Sequence, residues 1–358
     1  MRAAVFVGQE QPLAIEDVEP APPGARDVVV EIDASGVCHS DLSIVHGFLP
    51  LPPGVVLGHE GTGRVVEVGR EVTRVQKGDR VVASFVPACG SCWFCLQGES
   101  ELCEQELASM MTPRGARADG SQYLGFTGLG TFAEAMVVSE ASVVKIDSDL
   151  PAEQLALIGC GITTGVGSAL NTARVRPGST VAVIGCGGVG QSVIQGARIA
   201  GASRIVAVDP VELKRKTAEQ LGATDLVDPG AGDPVQQVQS LTGGRGVDYA
   251  FEVIGLPETI VQAYSMARRG GTAVVVGMAR AEATFTLSAF DIFYSEKTLI
   301  GSKYGSAQVR RDFQRFVDLI ETGRLDTSAM VTRTLSLDEV NEGFRAMEAG
   351  EVIRSVIV

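Results

Sequence analysis

The sequence predicts an α/β protein, in which a β-rich first part precedes a doubly wound parallel sheet. Up to about residue 150, short β-branched runs such as residues 28–34 and 63–68 alternate with proline and glycine. From Pro177 onward, short apolar runs alternate with helical patterns, which is typical of parallel strands with helices on both faces. A length of 358 residues exceeds one typical core and favours two domains.

The predicted elements differ between the two parts. In the first part we expect a compact, irregular β-barrel and a short helix over residues 41–46. In the second part, the predicted strands cover residues 181–184, 205–208, 249–253 and 272–276. The helices predicted between them cover residues 191–200, 211–221 and 258–267. A helix over residues 307–321 and an apolar strand over residues 352–358 follow.

The charge and composition of the chain exclude several classes of partner. It carries 43 acidic and 30 basic residues, a formal net charge of −13, and 45% of its residues are hydrophobic. An acidic surface repels nucleic acid and anionic membranes, and the only basic cluster, residues 214–216, is too short to offset it. The first residues do not resemble a signal peptide, and no run reaches the roughly 18 apolar residues of a membrane helix. We therefore expect a soluble, cytoplasmic protein without nucleic-acid or membrane partners.

A glycine-rich motif follows the first predicted strand of the second part. Between that strand and a helix, the sequence reads Gly185-Cys186-Gly187-Gly188-Val189-Gly190. The first glycine of such a motif allows a sharp turn, the second lets a pyrophosphate approach the backbone, and the last lets helix and strand pack closely. The helix N-terminus then attracts the anionic pyrophosphate. The motif predicts that these residues bind a dinucleotide; the alternative is a structural turn in an unrelated α/β fold.

An acidic residue indicates which dinucleotide is bound. Asp209 ends the next predicted strand, at the distance expected for the residue that binds the adenosine ribose hydroxyls. Its carboxylate would repel a 2′-phosphate, and Pro210 rather than an arginine follows it. The sequence therefore predicts NAD rather than NADP.

Four of the seven cysteines lie close together in a loop over residues 89–103, which we call the four-cysteine loop. Their spacing is Cys89-x2-Cys92-x2-Cys95-x7-Cys103. Four thiolates complete a tetrahedral zinc site with no open position, which is typical of a structural ion. An iron–sulfur cluster and redox-active thiols are the alternatives, but nothing else in the sequence suggests electron transfer. We therefore predict a structural zinc.

A second group of candidate ligands is dispersed along the chain. Cys38, His59 and Cys160 lie beside glycines, in the segments 36–38, 58–61 and 159–161. Two sulfurs and one imidazole with one open position suit a catalytic zinc. From spacing alone, buried cysteines packed as small hydrophobic residues and a hydrogen-bonded core histidine are an equally good interpretation.

Together these motifs resemble those of zinc-containing medium-chain alcohol dehydrogenases. The run Gly36-Val37-Cys38-His39-Ser40-Asp41, residues 58–61, the four-cysteine loop, residues 159–161 and residues 185–190 occur in the family's order and intervals. The resemblance spans essentially the whole chain. It implies a Rossmann domain over residues 162–303, inserted in a GroES-like catalytic domain formed by residues 1–161 and 304–358, with the active site in the cleft between them. It also implies an NAD-dependent alcohol dehydrogenase with two zinc ions per chain.

The resemblance assigns roles around the catalytic zinc. It implies that Cys38, His59 and Cys160 bind the ion, while water or the substrate oxygen takes the fourth position. Glu60 resembles the carboxylate that approaches the metal during ligand exchange. Asp41 resembles the residue that orients His59.

Further roles implied by the resemblance concern the proton and the cofactor. Ser40 matches the hydroxyl that hydrogen-bonds the substrate oxygen and begins a proton relay. His39 and Arg354 match positions that face the cofactor pyrophosphate. Lys214 matches a position beside the adenosine ribose, and Thr164 matches a further cofactor contact.

The chain departs from the family at the outer end of the relay, where many relatives have a histidine and this chain has Ser43. Serine is not a base near neutral pH, so the last proton would pass to water or through His39. We expect slower proton release, or a higher optimum pH, than in a histidine-bearing relative. Cys186, the remaining cysteine, is interpreted as a packing residue.

The substrate pocket is predicted in outline. The family positions around the substrate hold Leu49, Phe85, Phe126, Val189 and Met278. Because these side chains are apolar, we expect an uncharged small-molecule alcohol with a hydrophobic group, oxidised reversibly to its aldehyde. Aryl or allylic primary alcohols fit this lining better than ethanol does.

Two alternative functions are retained. The first is a thiol-dependent formaldehyde dehydrogenase, which oxidises an S-hydroxymethyl adduct and would use Arg114 and Arg117 as cations for the anionic thiol. The second is an inactive, zinc-free protein of the same fold that only binds a dinucleotide. It is disfavoured because the sequence retains every expected zinc ligand.

The resemblance also implies a homo-oligomer. The family associates through the edge of its Rossmann sheet, and residues 272–276 and 284–287 would supply apolar edge material. Both a dimer and a tetramer are compatible with this expectation.

Overall fold

The computed structural model describes residues 1–48 and 50–358, which divide into two compact units. The first unit contains residues 1–161, 308–323 and 327–358, so both ends of the sequence contribute to it. The second unit contains residues 162–307 and 324–326. Leu49, which was expected in the substrate pocket, lies outside the described residues.

The amino-terminal part of the first unit consists mainly of short strands and loops. Its strands are β1 (Arg2–Phe6), β2 (Ala14–Pro20), β3 (Asp27–Val37), β4 (Val55–Val56), β5 (Gly61–Val68), β6 (Arg80–Ala83), β7 (Pro113–Arg117), β8 (Gln122–Gly125), β9 (Ala135–Ser139) and β10 (Val143–Lys145). Its α-helices are α1 (His39–Val45), α2 (Trp93–Gln97), α3 (Glu106–Met110) and α4 (Ala152–Ala156). Strands β1, β2, β7, β8 and β4 close a barrel, as the sequence predicts.

The second part of the chain alternates helices and strands. Its strands are β11 (Thr180–Ile184), β12 (Arg204–Val208), β13 (Asp225–Val227), β14 (Val247–Glu252), β15 (Ala267–Val275) and β16 (Thr298–Gly301). Its α-helices are α5 (Gly161–Gly167), α6 (Gly188–Ile199), α7 (Glu212–Leu221), α8 (Pro234–Leu241), α9 (Pro257–Met266) and α10 (Ala289–Ser295).

These strands form a parallel sheet in the order β13-β12-β11-β14-β15-β16. In β11, Val181 and Val183 belong to one buried apolar cluster, whereas Ala182 and Ile184 belong to another. Because successive side chains of a strand point to opposite faces, both faces of the sheet are covered. The predicted doubly wound parallel sheet is therefore confirmed.

The chain then returns to the first unit. The elements of this segment are α11 (Val309–Glu321), β17 (Val331–Leu335), α12 (Val340–Glu348) and β18 (Arg354–Ile357). A second sheet of the first unit has the order β10-β6-β5-β3-β18-β17, with β9 also paired to β3. Ser355 of β18 lies opposite Val37 of β3, which brings the start of β18 next to the segment that leads into Cys38.

Two helices begin earlier than the sequence predicts. Helix α1 begins at His39 rather than at residue 41, and α6 begins at Gly188 rather than at residue 191. Helical periodicity is recognised from apolar side chains, which these first turns largely lack. The short helices α2 and α3 were not expected either, because five residues carry too little periodicity.

Among the described residues, each helix taken alone is too short or too polar to cross a membrane. The bent pair Ala152–Gly159 and Gly161–Thr172 meets the criteria jointly, by length and composition only.

Candidate metal and cofactor sites

Four side chains of the first unit bring potential metal ligands together. The ligand atoms of Cys38, His59, Glu60 and Cys160 all lie within 4.8 Å of one another, and all four side chains are buried. Cys38 follows β3, whereas His59 and Glu60 precede β5, so the pairing of β3 with β5 sets these positions. The structure thus collects the three dispersed ligand candidates and adds a carboxylate to them.

Asp41 orients the imidazole of His59. One carboxylate oxygen of Asp41 lies 3.1 Å from Nδ1 of His59 and accepts a 2.9 Å hydrogen bond from the backbone N–H of Gly58. The other oxygen accepts a 3.3 Å hydrogen bond from the N–H of Cys38. Although burial lowers the pKa of His59, the Asp41 charge raises it well above its ordinary value. Because Nδ1 donates to Asp41, Nε2 is left to bind a metal.

Glu60 has one paired and one unpaired carboxylate oxygen. Its Oε2 accepts a hydrogen bond from Nη2 of Arg354, a side chain at the start of β18 that is only 5% exposed. Its Oε1 is buried and has no hydrogen-bond partner among the described residues. Burial raises the pKa of Glu60, against the opposing charge of Arg354. A cation among the four ligand atoms would satisfy this oxygen, since buried polar atoms without partners are costly.

The two sulfur atoms also suit a metal ion. The pKa of Cys38 lies well below its ordinary value, because a hydrogen bond from Cys160 outweighs burial and His59 further stabilises the thiolate. The same hydrogen bond, together with burial, raises the pKa of Cys160. Thiolate, imidazole and carboxylate are the ligands that zinc prefers in proteins. The residues present therefore fit a zinc ion.

Glycines next to the candidate ligands make room for the pair of Glu60 and Arg354. A Cβ at Gly36 would lie 2.2 Å from Oε2 of Glu60, and one at Gly161 would lie 3.1 Å from Nη1 of Arg354. Arg354 was expected to face the cofactor pyrophosphate, whereas its contact with Glu60 was not predicted. The glycines beside the candidate ligands were the one sequence feature that indicated close packing around Glu60 and Arg354.

The residues expected to transfer the proton lie on α1. The Oγ of Ser40 is 3.7 Å from the Sγ of Cys38, so its hydroxyl lies beside the candidate ligands. His39 is exposed, and Ser43 is half-buried one helical turn further on.

Two of the expected pocket residues flank His59. The rings of Phe85 and Phe126 meet its imidazole edge to face, at centroid distances of 5.9 and 5.4 Å. Val189 and Met278 belong to the second unit, where Val189 is half-buried and Met278 is 45% exposed.

The glycine-rich motif of the second unit forms the turn between β11 and α6. Gly185 has a φ of +91°, and a Cβ at Gly190 would lie 1.8 Å from the Gly185 carbonyl oxygen. A side chain at position 190 would therefore separate the helix from the strand. A Cβ at Gly187 would meet no atom within 4 Å, which leaves space for an anionic group at the N-terminus of α6. The motif thus fits a dinucleotide pyrophosphate.

Asp209 connects the end of β12 to this turn. Its Oδ2 accepts a 2.8 Å hydrogen bond from the N–H of Cys186, and its Oδ1 accepts one of 2.8 Å from the N–H of Val211. Each carboxylate oxygen keeps a lone pair for a ribose hydroxyl. Lys214 on α7 and Thr164 on α5, the other expected cofactor contacts, are half-buried in the second unit.

Two residues that support this region were missed by sequence reasoning. The Nη1 of Arg215 donates to the backbone carbonyl of Asp209 at 2.6 Å. The amide of Gln191 donates to the carbonyls of Cys186 and Lys214, both at 2.8 Å. Arg215 was noticed only as part of the basic cluster, and a lone glutamine after the motif carries no recognisable pattern.

Cys186 is fully buried in the second unit. Its Sγ lies 3.8 Å from the carbonyl oxygen of Val208 and 4.0 Å from that of Val183, and burial raises the pKa of its thiol. These surroundings agree with a packing role.

The four-cysteine loop also gathers its sulfur atoms. The ligand atoms of Cys89, Cys92, Cys95 and Cys103 lie within 4.8 Å of one another. The Sγ–Sγ distances are 3.8 Å for Cys89 and Cys95 and 3.9 Å for Cys92 and Cys103. Sulfurs bound tetrahedrally to zinc at about 2.3 Å lie about 3.8 Å apart. Despite burial, the N–H groups of Ser91 and Cys92 lower the pKa of Cys89 to about 6. The loop fits a zinc ion without an open position.

Arg114 and Arg117 do not provide the free cations expected for a thiol-dependent enzyme. Arg117 donates two hydrogen bonds, of 2.9 and 2.8 Å, to the carboxylate of Glu16. Arg114 is 4% exposed and donates to the backbone carbonyl of Gly128 at 3.0 Å. Arg117 is therefore already paired, and Arg114 is buried and does not belong to the cluster around Cys38, so neither supports that expectation.

Comparisons with known proteins agree with this arrangement. The family model of the alcohol dehydrogenase GroES-like domain matches residues 24–148, and that of the zinc-binding dehydrogenase matches residues 188–322. The putative alcohol dehydrogenase D of Mycobacterium tuberculosis is 39% identical over 364 residues, which cover 99% of both chains. This chain belongs to the zinc-dependent medium-chain dehydrogenase family. The S-(hydroxymethyl)glutathione dehydrogenase of Synechocystis sp. is 40% identical to this family member over 368 residues, again 99% of both chains.

Solved structures share the fold of this zinc-dependent dehydrogenase. The benzyl alcohol dehydrogenase of Acinetobacter calcoaceticus is 31% identical with a TM-score of 0.93, covering 99% of this chain and 98% of that one. A putative zinc-binding dehydrogenase of Sinorhizobium meliloti, solved with NADP, is 29% identical with a TM-score of 0.81, covering 100% and 98%. The predicted fold class, a Rossmann sheet together with a GroES-like domain, is confirmed.

Proposed function

We propose that this zinc-dependent dehydrogenase interconverts a hydrophobic primary alcohol and its aldehyde, with NAD as the hydride carrier. The observation that carries the proposal is the cluster of Cys38, His59, Glu60 and Cys160, in which one buried oxygen of Glu60 has no partner among the described residues. Because Arg354 holds the other oxygen of Glu60, the unpaired oxygen would remain available to a bound zinc ion.

The proposal includes two zinc ions per chain. Cys38, His59 and Cys160 would hold the catalytic ion, and the four-cysteine loop would hold the structural one. The sulfur distances of that loop support the second assignment. A cytoplasmic location, where thiols stay reduced and free to bind metal, belongs to the same proposal.

In the proposed reaction, zinc and NAD would supply one part of the chemistry and the side chains of the protein the other. Zinc would supply the charge that lowers the pKa of an alcohol and polarises an aldehyde, and NAD would accept or return the hydride. Asp41 accepts the hydrogen bond from Nδ1 of His59, so the neutral imidazole would hold the zinc ion through Nε2. Phe85 and Phe126 exclude water on two sides of this imidazole.

Proton transfer in the proposal begins at Ser40. Its Oγ accepts the hydroxyl proton of the alcohol while its own proton moves outward. The next acceptor is His39 or solvent, because Ser43 is not a base near neutral pH. During aldehyde reduction the same steps run in reverse.

The preference for NAD rests on Asp209. Its carboxylate is 5% exposed and anchored by two backbone N–H groups, so it cannot swing away from a 2′-phosphate without breaking both hydrogen bonds. The negative charge repels that phosphate and binds the ribose hydroxyls of NAD. The NADP-bound structure from Sinorhizobium meliloti makes this preference a necessary test.

An aryl or allylic alcohol is the proposed substrate. The aromatic neighbours of His59 support it, as does the likeness to a benzyl alcohol dehydrogenase. Oxidation of an S-hydroxymethyl thiol adduct is the second candidate, favoured by the 40% identity to an S-(hydroxymethyl)glutathione dehydrogenase. The positions of Arg114 and Arg117 remove the cations on which that candidate was based.

We also propose that the protein forms a homo-oligomer. The sheet edge was expected at residues 272–276, but residues 272–275 belong to β15, which pairs with β14 on one side and β16 on the other, so that expectation is wrong. Strand β16 is the last strand of the parallel sheet, and its outer edge has no partner strand among the described residues. In α10, Phe290, Phe293 and Tyr294 are 68%, 78% and 54% exposed. Exposed aromatic side chains beside an open sheet edge favour association with a second copy.

The decisive experiment compares substrates on one zinc-analysed sample. Benzyl alcohol, cinnamyl alcohol, ethanol and formaldehyde with glutathione are offered with NAD, and NADH absorbance is followed. We expect the aryl alcohols to exceed the other substrates at least about tenfold in kcat/KM, with about two zinc ions per chain. A higher kcat/KM for the thiol adduct would establish the second candidate. Zinc-loaded protein that oxidises none of them would refute the proposal.

A further inference from the structure

A cavity of about 290 Å³ lies in the first unit beside the four-cysteine loop. It is separate from the cluster around Cys38, none of whose ligands lines it. Its walls carry three guanidinium groups, from Arg26, Arg74 and Arg114, and two carboxylates, from Asp27 and Glu140. The lining therefore has one positive charge in excess.

Arg114 is the most buried of these cations. It is 4% exposed, and its guanidinium donates only to neutral groups, the carbonyl of Gly128 at 3.0 Å and the carbonyl and hydroxyl of Ser109 at 3.4 and 3.3 Å. Its Nε has no hydrogen-bond partner among the described residues, and burial lowers the pKa of Arg114 against the opposing charge of Asp27. A buried charge in this state is costly unless an anion compensates it.

Glu140 lines the same cavity and carries a buried carboxylate. It is 2% exposed, and its Oε2 accepts hydrogen bonds from the N–H groups of Thr73 and Arg74 at 2.9 and 3.0 Å. Its Oε1 has no hydrogen-bond partner among the described residues, although it forms an ion pair with Arg26, whose Nη1 is 3.6 Å away. The residues that line the cavity thus include a buried N–H and a buried carboxylate oxygen without hydrogen-bond partners in the described part of the chain.

We propose that this cavity binds inorganic phosphate. A ligand that satisfies both groups must offer an anionic oxygen to Arg114 and a hydroxyl proton to Glu140. Inorganic phosphate keeps a proton at neutral and mildly alkaline pH, whereas sulfate has none. A phosphate monoester, whose second pKa is about 6, has lost its last phosphate proton at alkaline pH. The excess positive charge of the lining favours an anion of this kind.

Bound phosphate would act on the four-cysteine loop. Cys89 and Ser91 of that loop line the cavity together with Arg114 of β7, so a ligand bridging them restrains the loop. Trp93, the only tryptophan in the sequence, lies at the start of α2 in the same loop and is 60% exposed. Its fluorescence therefore reports on this part of the protein.

The test uses the zinc-loaded full chain at pH 8 and constant ionic strength. Inorganic phosphate, sulfate and methyl phosphate, a monoester without a free hydroxyl, are each titrated by calorimetry, with Trp93 fluorescence followed in parallel. We expect saturable binding of inorganic phosphate, at least about tenfold tighter than that of either other anion. Arg114→Met should abolish it, whereas the matched control Arg117→Met on the same strand, whose arginine pairs with Glu16, should retain it.

Two further variants keep the test decisive if Arg114→Met fails to fold. Arg114→Lys retains the charge and should weaken binding without abolishing it. Glu140→Gln removes the carboxylate and should reduce the preference for phosphate over sulfate at least about tenfold. If titration with phosphate releases no more heat than titration with chloride at equal ionic strength, the proposal is overturned. Equal binding of sulfate or of the monoester would overturn the assignment to protonated phosphate.

Discussion

Nδ1 of His59 and a carboxylate oxygen of Asp41 lie 3.1 Å apart, and both side chains are buried. This contact fixes which imidazole nitrogen faces the candidate zinc ligands. Asp41→Asn removes the negative charge and leaves one acceptor oxygen, so its amide NH2 faces either the N–H of Cys38 or those of Gly58 and His59. We expect zinc affinity to fall about 10- to 100-fold, measured by competition with a chelator.

The matched control for Asp41 is Asp79→Asn. Asp79 also accepts a backbone hydrogen bond in the first unit, from Gln76 at 2.9 Å, but is not among the candidate ligands. The variant Asp79→Asn should leave zinc affinity unchanged. If the two variants bind zinc equally well, Asp41 does not orient His59.

Removal of one candidate ligand should separate catalysis from cofactor binding. We expect Cys38→Ala to lose the catalytic zinc and nearly all turnover, because the remaining donors cannot hold the ion tightly. NAD binding, measured by calorimetry, should persist, since the glycine motif lies in the second unit. Cys186→Ala removes a buried thiol outside both cysteine groups and should keep both zinc ions. Near-normal activity of Cys38→Ala in zinc-free buffer would refute the mechanism.

Restoring a base at the outer end of the relay should accelerate proton release. Ser43 is half-buried on α1, the helix that also carries Ser40. In Ser43→His, the imidazole would accept the proton near neutral pH, so the pH profile of kcat for alcohol oxidation should move to lower pH. Ser43→Asn supplies a polar side chain without a base and should not move it. An unchanged profile in Ser43→His would show that the relay does not end at this position.

Neutralising Asp209 should weaken discrimination between the two dinucleotides. Asp209→Asn keeps an oxygen for one of the two backbone N–H groups and removes the negative charge. We expect the ratio of kcat/KM for NADP to that for NAD to rise about tenfold or more, equivalent to at least about 1.4 kcal/mol. Wild-type protein that already prefers NADP tenfold would contradict the role assigned to Asp209.

His46 should make stability depend on pH. Its Nδ1 lies 3.0 Å from one oxygen of Glu10 and its Nε2 lies 2.9 Å from one of Glu348. The hydrogen bond that His46 donates to Glu10 outweighs burial and, with the one to Glu348, raises the pKa of His46. The folded state therefore favours the protonated form. This stabilisation is complete below about pH 6.5, the unfolded value, and is lost as pH rises through the folded value.

The corresponding measurement is Tm at pH 6 and pH 9. His46→Gln should lower Tm more at pH 6 than at pH 9, since the lost interaction exists only while the imidazole is protonated. Glu348→Gln should show the same direction with a smaller effect, because Glu10 still faces the ring. If the loss of Tm in His46→Gln grows with pH, the pKa of His46 is not raised in the folded state.

Much of the candidate site could be predicted because its chemistry is visible in residue types. Cysteine, histidine and glycine at characteristic spacings indicated both cysteine groups and the turn between β11 and α6. The parallel sheet was predictable for a similar reason, since strands buried on both faces are apolar along their whole length, as Thr180–Ile184 nearly is.

The sequence did not predict which side chains from distant segments contact each other. Arg354 contacts Glu60, 294 positions earlier, and no local pattern encodes that choice. Arg114 and Arg117 are neighbours on one strand, yet one is buried beside a cavity and the other pairs with Glu16 at the surface. Periodicity alone does not distinguish such cases, because they depend on which strands become neighbours in the barrel.

The contact between Glu60 and Arg354 also sets an order of events during translation. A ribosome delivers Cys38, His59 and Cys160 well before it reaches Arg354. Until then, a nascent chain carries the sulfur and imidazole donors, but neither the guanidinium that neutralises Glu60 nor the strand that pairs with β3. We therefore expect the proposed catalytic ion to be bound only after the final strand has emerged.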